Sequence, residues 1–384
     1  MTAARPAARP RDIFLLTPGP LTTSKETRAA MLRDWGSRDT DFRELTRGVR
    51  TKLVALIHGQ GSHVAVPLQG SGTFAVEAMI GTFVPRQGKL LILVNGAYGQ
   101  RIVKICQLIG RAHSVIETAE DVAPTAQQVE AALQADPAIT HVAVIHCETT
   151  SGILNPLAEI AAVVEKQGRA LLVDSMSAFG AIEIDARRIR FDALAASSNK
   201  CIEGVPGIGL VICRTAALEK TAGNAHALVL DLFDQRSYME KSGQQWRFTP
   251  PTHVLAAFDA ALDQHAAEGG VKGRHARYAG NCKILVDGMR ALGFETLLPD
   301  HLQAPIIVTF HQPADPRFHF ETFYDSLSAQ GYVIYPGKLT RADSFRIGCI
   351  GQVHEAQMKG VLEAIKACLK DMGVTQTGPA KRAA

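Results

Sequence analysis

A Gly-Ser-Gly-Thr turn is the first segment of the sequence whose residue types could do chemistry. It lies in QGSGTFAVEA, residues 69–78, where an apolar run ends and a helical pattern begins. Glycine lets the backbone approach a ligand closely, and the free N–H groups at the start of a helix favour an anion. Ser71, Gly72 and Thr73 are therefore candidate ligands of a phosphate, although a plain turn with a hydroxyl cap would have the same residues. The segment matches neither the GxGxxG pattern of dinucleotide sites nor a Walker loop.

An aspartate and a lysine follow later apolar runs. Asp174 comes directly after ALLV, which predicts a place at the carboxyl end of a buried strand, where many aspartates simply cap the next helix. Lys200 follows a strand-like segment and Ser-Ser-Asn. Most lysines in such turns are solvated, but burial would lower the pKa of the ammonium group, and the free amine could attack a carbonyl. The apolar neighbours that could exclude water from it are Cys201, Ile202, Val205 and Pro206.

Together the three segments meet the chemical needs of pyridoxal phosphate. A helix N-terminus would hold the phosphate, and the lysine would attach the cofactor covalently. The aspartate would keep the pyridinium nitrogen protonated, so that the ring accepts electrons. Lys200 follows Asp174 by 26 residues, which leaves room for one helix and one strand between them.

The elements that must position these residues are predicted from residues 64–213, where short apolar runs alternate with helical patterns. The predicted strands are HVAVPLQG, KLLILVNG, RAHSVIE, THVAVIHC, RALLVDS and GIGLVICR. The predicted helices are FAVEAMIGTFV, YGQRIVKICQLIG, TAQQVEAALQAD and PLAEIAAVVEKQG. Apolar strands joined by helices indicate an α/β fold, with a doubly wound, mostly parallel sheet covered on both faces. Such sheets bind ligands beyond the C-terminal ends of their strands, so the site is expected in the loops that follow them.

The pattern changes after residue 214. Two helical stretches lead into APIIVTF, FETFYDSLSAQG, YVIYPG, FRIG and a closing helix, EAQMKGVLEAIKACLK, which is typical of a small α+β domain. We therefore divide the chain into an N-terminal tail and crossover segment (1–25), a large cofactor-binding domain (26–265) and a small C-terminal domain (266–384). The two ends, MTAARPAARPRD and GVTQTGPAKRAA, are expected to be loose.

The composition excludes several classes of protein. The chain has 384 residues, of which 46% are hydrophobic and 20% charged, as in soluble globular folds. A net charge of +4 is too small to indicate nucleic acid as a partner, and no apolar run is long enough to span a membrane. The seven cysteines form no CxxC pair, so we expect free thiols and a cytoplasmic location. The thirteen histidines show no metal-ligand spacing, so no metal is expected.

Motifs over roughly residues 12–370 resemble the class V aminotransferases of fold type I. The segments that carry the resemblance are TPGPLTTS (17–24), QGSGTFAVEA (69–78), VNGAYGQR (94–101), HCETTSGILNP (146–156), VDSMSAFG (173–180), SSNKCIEGVPG (197–207), WRFTPPTH (246–253) and YPGK…FRIG (335–348). Within the class they are most similar to the branch that transfers the amino group of 2-aminoethylphosphonate to pyruvate in phosphonate degradation. The resemblance implies pyridoxal 5'-phosphate as cofactor, small-molecule substrates and a homodimer with composite active sites. One rival is an alanine/serine–glyoxylate aminotransferase of the same class, and another is a nucleotide-binding scaffold without pyridoxal phosphate.

The resemblance also implies roles for residues around the cofactor. Tyr98 would stack on the pyridine ring, where a flat π-face orients the ring and excludes water. Thr149 would hydrogen-bond near the phenolic oxygen of the cofactor, and Ser197 would also contact the cofactor. Trp246 and Thr249 match the segment that reaches across a dimer interface to the neighbour's cofactor phosphate.

On the substrate side, Arg346 matches the arginine that holds the substrate carboxylate, a role suited to a guanidinium fork. Gly19 and Arg38 are expected at the substrate mouth, although DWGSRD, which contains Arg38, would equally suit a surface loop. The roles of His146 and Asn199 stay open, since His146 either lines the cofactor pocket or is structural.

Overall fold

The structure of the chain, a computed structural model, describes residues 13–338 and 343–380. Its strands are β1 Phe14–Leu15, β2 His63–Gln69, β3 Lys89–Val94, β4 Ala112–Glu117, β5 Ile139–Ile145, β6 Cys147–Glu148, β7 Ile153–Leu154, β8 Ala170–Asp174, β9 Ala193–Ser197, β10 Ile208–Arg214, β11 Ile307–His311, β12 Tyr332–Val333, β13 Tyr335–Pro336 and β14 Ser344–Gly348. Its α-helices are α1 Lys25–Ala29, α2 Thr40–Ala55, α3 Gly72–Phe83, α4 Ala97–Leu108, α5 Ala126–Ala135, α6 Leu157–Lys166, α7 Thr215–Leu218, α8 Leu232–Lys241, α9 Thr252–Ala267, α10 Gly270–Ala291, α11 Phe320–Ala329 and α12 Glu355–Asp371. Short 3-10 helices span Ala30–Leu32 and Leu228–Leu230. No helix within the two described ranges is both long enough and apolar enough to cross a bilayer.

A seven-stranded sheet forms the centre of the larger part of the chain, in the order β2-β10-β9-β8-β5-β3-β4. β3 is parallel to β4 and β5, β5 to β8, and β8 to β9. Only β10 is antiparallel to its neighbours β9 and β2 in this sheet. It reverses direction because residues 198–207 alone join it to β9, a connection too short for a parallel crossover. The sheet is mostly parallel, which confirms the predicted α/β fold class.

The connection between β8 and β9 differs from the prediction. Residues 175–192 form turns and contain no α-helix, so the predicted helix between Asp174 and Lys200 is wrong, whereas the predicted strand is present as β9. Gly180 has a φ of +92°, outside the right-handed helical region. The Asp185 carboxylate accepts a hydrogen bond from its own local backbone, at the N–H of residue 187, which favours a turn over a helix.

Helices cover both faces of the sheet, because the strands are apolar on both sides. On one face Leu53 of α2 and Ile160 of α6 belong to a buried apolar cluster with strand residues such as Val144. On the other face Met79 and Ile80 of α3 are fully buried against the neighbouring strand residues. Burial on both faces fixes the strands and therefore the position of the loops at their carboxyl ends.

The C-terminal part has its own sheet and its own core. β11, β14 and β13 form an antiparallel sheet in that order. Phe310 and Phe345 are fully buried there, with ring centroids 5.7 Å apart. β1 pairs with β12 of this part, and the chain then passes towards the larger sheet, so residues 14–19 connect the two. The division of the chain after residues 25 and 265 stays a prediction.

The prediction of a loose C-terminal tail is wrong for residues 373–380. The carboxylate of Asp315 accepts a hydrogen bond from the backbone N–H of Thr375 at 3.0 Å. The hydroxyl of Thr377 donates in turn to the carbonyl of Leu292. These contacts satisfy polar groups that a loose tail would leave to water. The tails predicted before residue 13 and after residue 380 lie outside the described residues.

Candidate active site

Lys200 lies in the turn that joins β9 to β10. Its Nζ donates hydrogen bonds to the carbonyl oxygens of Pro18 at 2.5 Å and Gly19 at 3.3 Å. Burial lowers the pKa of its ammonium group, because the charged form loses its hydration. Of the neighbours expected to exclude water, Cys201 is fully buried but Pro206 is exposed. The crossover segment, through Pro18 and Gly19, therefore helps to shield the amine of Lys200 from water, which the sequence did not indicate. The amine is placed to lose its proton and to act as a nucleophile or a base.

Gly19 has no room for a side chain at this point. Its φ is +104°, and a Cβ there would lie 2.5 Å from Cδ and 2.9 Å from Nζ of Lys200. Glycine is the residue that adopts such a conformation without strain. The structure thus brings Gly19, which the resemblance assigned to the substrate side, directly against the candidate nucleophile.

Asp174 ends β8 and pairs in register with Ala195 of β9, which leads to Lys200. The residue is 6% exposed, and Oδ1 of its carboxylate accepts a hydrogen bond from the N–H of Met176 at 2.9 Å. Burial raises the pKa of this carboxyl to about 6, and the positive charges of Arg101 and Lys200 oppose that rise only in part. A carboxylate in this environment gains from a cationic partner, and a protonated ring nitrogen is such a partner.

The Gly-Ser-Gly-Thr turn opens α3 as predicted, with Ser71 at the N-cap. The Ser71 side chain makes no capping hydrogen bond, while Oγ1 of Thr73 accepts one from Nη1 of Arg101 at 3.1 Å. A Cβ at Gly72 would collide with Sδ of Met176, so this glycine lets the loop after β8 pack directly against the start of α3. The first-turn N–H groups and a guanidinium beside them form a favourable place for an anion.

Arg101 is a candidate that the sequence reading missed. Its guanidinium carbon lies 4.7 Å from the centroid of the Tyr98 ring, and the same group donates to Thr73. It therefore lies between the predicted phosphate position and the predicted ring position. The spacing in VNGAYGQR could have identified Arg101, because Tyr98 and Arg101 are three residues apart on α4 and share one face of that helix.

A buried carboxylate fixes the direction of Tyr98. Oε2 of Glu148 accepts hydrogen bonds from the backbone N–H groups of Tyr98 at 3.1 Å and Gly99 at 3.3 Å, in the first turn of α4. Its Oε1 accepts from the N–H and the hydroxyl of Thr150 at 3.0 and 2.6 Å. The side chain is fully buried, and burial raises its pKa. Glu148 thus caps α4, where a negative charge is favoured by the helix dipole, and the sequence reading missed this role too.

Tyr98 lies among positive charges. Burial alone would raise the pKa of its hydroxyl, but the charge of Lys200, the polar side chain of Thr149 and the charge and polar contact of Lys338 together outweigh burial, so the pKa is lowered. Nζ of Lys338 lies 4.3 Å from the centroid of the ring. An aromatic face attracts a cation at this distance.

Arg346 reaches the site from β14 in the C-terminal part. Its Nη1 donates to the carbonyl of Thr149 at 2.8 Å, and its Nε donates to the carbonyl of Pro336 at 3.0 Å. The side chain is buried, and burial lowers the pKa of the guanidinium. These two bonds fix the plane of the guanidinium beside the Thr149 loop, so the structure brings together two residues that the resemblance placed at one site.

Two buried hydroxyl groups have no hydrogen-bond partner in the described part of the chain. They are Oγ1 of Thr149 and Oγ of Ser197. Buried hydroxyls without partners are uncommon, because they have lost water without replacing it. Ser197 ends β9, just before Lys200, and Thr149 lies beside Arg346. A polar ligand would satisfy both hydroxyls, so the residues present fit pyridoxal phosphate with its phenolic oxygen, ring nitrogen and phosphate.

In the single chain that the structure describes, three candidate residues have side chains that are either hydrogen-bonded to other residues or exposed. Trp246 is buried in the core of the larger part, and its Nε1 donates to Oγ1 of Thr46 at 3.2 Å. Thr249 and Arg38 are exposed. Their roles at a neighbouring subunit's cofactor and at the substrate mouth stay predictions.

His146 and Asn199 lie close to the candidate site. The backbone N–H of His146 donates to the carbonyl of Asp174, and its Nδ1 lies 3.3 Å from the hydroxyl of Ser175. Burial lowers the pKa of His146 to about 4, so the ring is neutral at neutral pH. The carbonyl of Asn199 packs against Gly19.

This fold and site define an aminotransferase of fold type I. The structure is similar to that of pyridoxamine-pyruvate aminotransferase from Mesorhizobium loti, with a TM-score of 0.86 and 24% identity, over 95% of this chain and 94% of that one. It is also similar to alanine–glyoxylate aminotransferase from Nostoc sp., with a TM-score of 0.87 and 21% identity, over 94% of this chain and 97% of that one. At these identities the similarity shows the fold.

The profile of the family described as Aminotransferase class-V matches residues 22–337, and the chain belongs to this family. The 2-aminoethylphosphonate–pyruvate transaminase of Pseudomonas aeruginosa is 58% identical over 366 residues, which are 95% of this chain and 98% of that protein. The protein of the same name from Pseudomonas fluorescens is 59% identical over 361 residues, 94% of this chain and 98% of that one. The prediction that the chain is an aminotransferase of class V is therefore confirmed.

Proposed function

We propose that the chain transfers the amino group of 2-aminoethylphosphonate to pyruvate, giving phosphonoacetaldehyde and L-alanine in phosphonate degradation. Its relatives of that name match it over nearly their full length. The main observation that supports an amino-group transfer is the buried amine of Lys200, whose pKa is lowered. A group in this state can react with a carbonyl and can carry a proton.

The proposed cofactor is pyridoxal 5'-phosphate. Lys200 would hold it covalently, and Asp174 would face its ring nitrogen. The hydroxyls of Thr149 and Ser197, which lack partners, would hydrogen-bond to it. The start of α3 and the guanidinium of Arg101 would hold the phosphate.

When bound, this cofactor stabilises negative charge on the substrate carbon that bears the amino group. The carboxylate of Asp174, whose pKa is raised to about 6 by burial, gains stability from a positive charge at the ring nitrogen and so keeps a proton there. Once the substrate amine has replaced it on the cofactor, the freed Nζ of Lys200 would take the proton from the substrate carbon, and it would return a proton to that carbon in the opposite half-reaction. The carbonyl oxygens of Pro18 and Gly19 hold this amine in place.

Arg346 is proposed to bind the anionic group of both substrates. A guanidinium matches the paired oxygens of a carboxylate and also accepts a phosphonate. Replacement of Arg346 by alanine is expected to reduce activity strongly with both substrates. Damage confined to pyruvate would show that the phosphonate is held elsewhere.

A homodimer with shared sites is proposed from the segment that carries Trp246 and Thr249. Near this segment the chain exposes large apolar side chains, with Leu228, Val229 and Phe248 between 47% and 71% exposed. Exposed apolar surface of this kind is suited to an interface. Light scattering of the purified chain tests the dimer, and a monomer that is fully active would contradict composite sites.

The proposed location is the cytoplasm. All seven cysteines are buried as free thiols. Free thiols are typical of reducing surroundings, which supports the proposal.

The decisive experiment for the lysine compares Lys200→Ala with Lys283→Ala, a change at an exposed lysine. The first variant should have neither turnover nor the visible absorbance of lysine-bound cofactor, while the second should keep both. Turnover by Lys200→Ala would contradict the assignment.

Product analysis separates the rival functions. 2-Aminoethylphosphonate, alanine and serine are each offered as donors with pyruvate and with glyoxylate as acceptors. We expect the highest kcat/KM for 2-aminoethylphosphonate with pyruvate, with parallel lines in double-reciprocal plots. An inert 2-aminoethylphosphonate would favour the glyoxylate aminotransferase. A purified protein that stays colourless with excess pyridoxal phosphate would favour a scaffold of another class.

A further inference from the structure

Lys338 is a second positive side chain beside Tyr98 to which the proposed function assigns no role. Its Nζ lies 4.3 Å from the centroid of the Tyr98 ring. It follows the same antiparallel pair that carries Arg346, because Tyr335 of β13 pairs in register with Arg346 of β14. Nε of Arg346 also donates to the carbonyl of Pro336, two residues before Lys338. The charges of Lys338 and Arg346 both interact with the hydroxyl of Tyr98, so the two cations face the same side chain.

The other charged groups of the pocket are matched by partners once the proposed cofactor is present. Asp174 faces the ring nitrogen in the proposed binding mode. Glu148 accepts hydrogen bonds from the backbone of α4. Arg101 donates to Thr73, at the proposed phosphate position.

Among the residues that the structure describes, Arg346 and Lys338 are then left without a matching negative charge. In the described part of the chain the hydrogen bonds of Arg346 go to two carbonyl oxygens, which are neutral. Lys338 contacts there the ring face and the hydroxyl of Tyr98, neither of which is a carboxylate. The pocket therefore offers two positive charges to an incoming substrate.

The two proposed substrates differ in the charge that they bring. A carboxylate has two oxygens and one negative charge, which a single guanidinium can match. A phosphonate resembles a phosphate group, which has three acceptor oxygens and a charge near −1.5 to −2 at neutral pH. Its third oxygen and its second charge need a further donor. A lysine ammonium suits that task, because it is a compact charge on a flexible stem.

We propose that Lys338 binds the second negative charge of the substrate phosphonate, and that it thereby determines the preference for an aminophosphonate donor. This inference rests on the proposed function and adds a specificity-determining residue to it. Arg346 alone serves the carboxylate of pyruvate or alanine, whereas Arg346 and Lys338 together serve the phosphonate. The contact with Tyr98 places the ammonium at the side chain that Arg346 also faces.

The test uses the cofactor-loaded enzyme and the variant Lys338→Met, which keeps the length of the side chain and removes its charge. Each donor is mixed with the enzyme, and the change in visible absorbance gives kcat/KM for its half-reaction. A hydrogen bond to a charged group contributes about 1.5–3 kcal/mol, which corresponds to about a 10- to 150-fold change. We expect a loss of this size for 2-aminoethylphosphonate and a loss of less than about threefold for L-alanine. Lys338→Arg should recover most of the loss, because it restores the charge.

Two results would overturn the inference. Equal losses for both donors would show that Lys338 acts on the cofactor or the fold, and an unchanged rate with 2-aminoethylphosphonate would show that it does not bind the phosphonate.

A second measurement separates this inference from the proposed function. Binding of ethylphosphonate and of propionate to the loaded enzyme is titrated through the visible absorbance, without turnover. Lys338→Met should weaken only ethylphosphonate, even if the wild-type enzyme were to prefer another donor.

Discussion

Replacement of Asp174 by asparagine should stabilise the cofactor-free chain at neutral pH while it impairs catalysis. Burial raises the pKa of this carboxyl from 3.8 to about 6. Between these two values the folded chain keeps a proton that the unfolded chain has released, so folding is favoured at low pH and loses stability as the pH rises. The shift corresponds to about 3 kcal/mol lost at pH 7, at 1.36 kcal/mol per pKa unit. Asparagine does not ionise and avoids this loss.

The assay is urea unfolding of the cofactor-free wild type and Asp174→Asn at pH 5 and pH 7. From the two pKa values, the carboxyl contribution should fall by about 1.3 kcal/mol between these conditions. The variant should therefore gain about that much on the wild type as the pH rises. Added pyridoxal phosphate should shrink or reverse the gain, because the ring nitrogen then offers the carboxylate a positive partner. The variant should have a much lower kcat than the wild type.

Asp315→Asn is the matched control with the opposite sign. Hydrogen bonds from Arg317 and from the backbone of Thr375 lower the pKa of Asp315. The folded chain releases this proton at a lower pH than the unfolded chain, so the stability that the carboxylate adds is lost only as the pH falls below about 4, and the cost of Asp315→Asn should stay nearly constant between pH 5 and pH 7. If Asp174→Asn shows no larger change between pH 5 and pH 7 than Asp315→Asn does, then Asp174 is not a carboxylate destabilised by burial.

Three further predictions concern residues that position the cofactor. Arg101→Gln should weaken binding of pyridoxal phosphate about tenfold or more but hardly affect pyridoxal, which lacks the phosphate, in absorbance titrations; equal losses would indicate a merely structural role. Gly19→Ala should slow attachment of the cofactor, because the added Cβ would lie 2.5 Å from Cδ of Lys200; an unchanged rate in stopped-flow absorbance would contradict this. Glu148→Ala should lower the free energy of unfolding by about 2 kcal/mol, and Glu148→Gln by less, since its amide oxygen still accepts from α4. Urea unfolding measures both, and equal losses would argue against the cap.

The residues that follow strands could be predicted from the sequence. Asp174 comes directly after a run of apolar residues, and Lys200 and the turn before α3 follow such runs after one to three polar residues. An apolar run of this length indicates a buried strand. The edge at which such residues meet follows from the parallel sheet. In the predicted small domain, the apolar segments APIIVTF and FRIG coincide with β11 and β14.

Contacts between distant segments could not be predicted in this way. The hydrogen bonds from Lys200 to Pro18 and Gly19 join residues about 180 positions apart, and periodicity carries no information about such pairs. The turns between β8 and β9 were missed for a different reason. A helix was expected there only from the 26-residue spacing between Asp174 and Lys200, whereas the glycine at 180 and the local Asp185 contact favour turns.

The hydrogen bonds of the two buried carboxylates distinguish their roles. Glu148 accepts four hydrogen bonds, from two backbone groups of α4 and from two groups of Thr150, so its acceptor oxygens are already used. Asp174 accepts one hydrogen bond, from Met176. Burial raises the pKa of both, but only Asp174 keeps free acceptor capacity towards the pocket. A carboxylate that is buried and incompletely satisfied destabilises the empty chain and gains most when a charged ligand arrives. By this criterion Glu148 maintains the position of Tyr98, and Asp174 is the carboxylate that suits the proposed contact with the ring nitrogen of the cofactor.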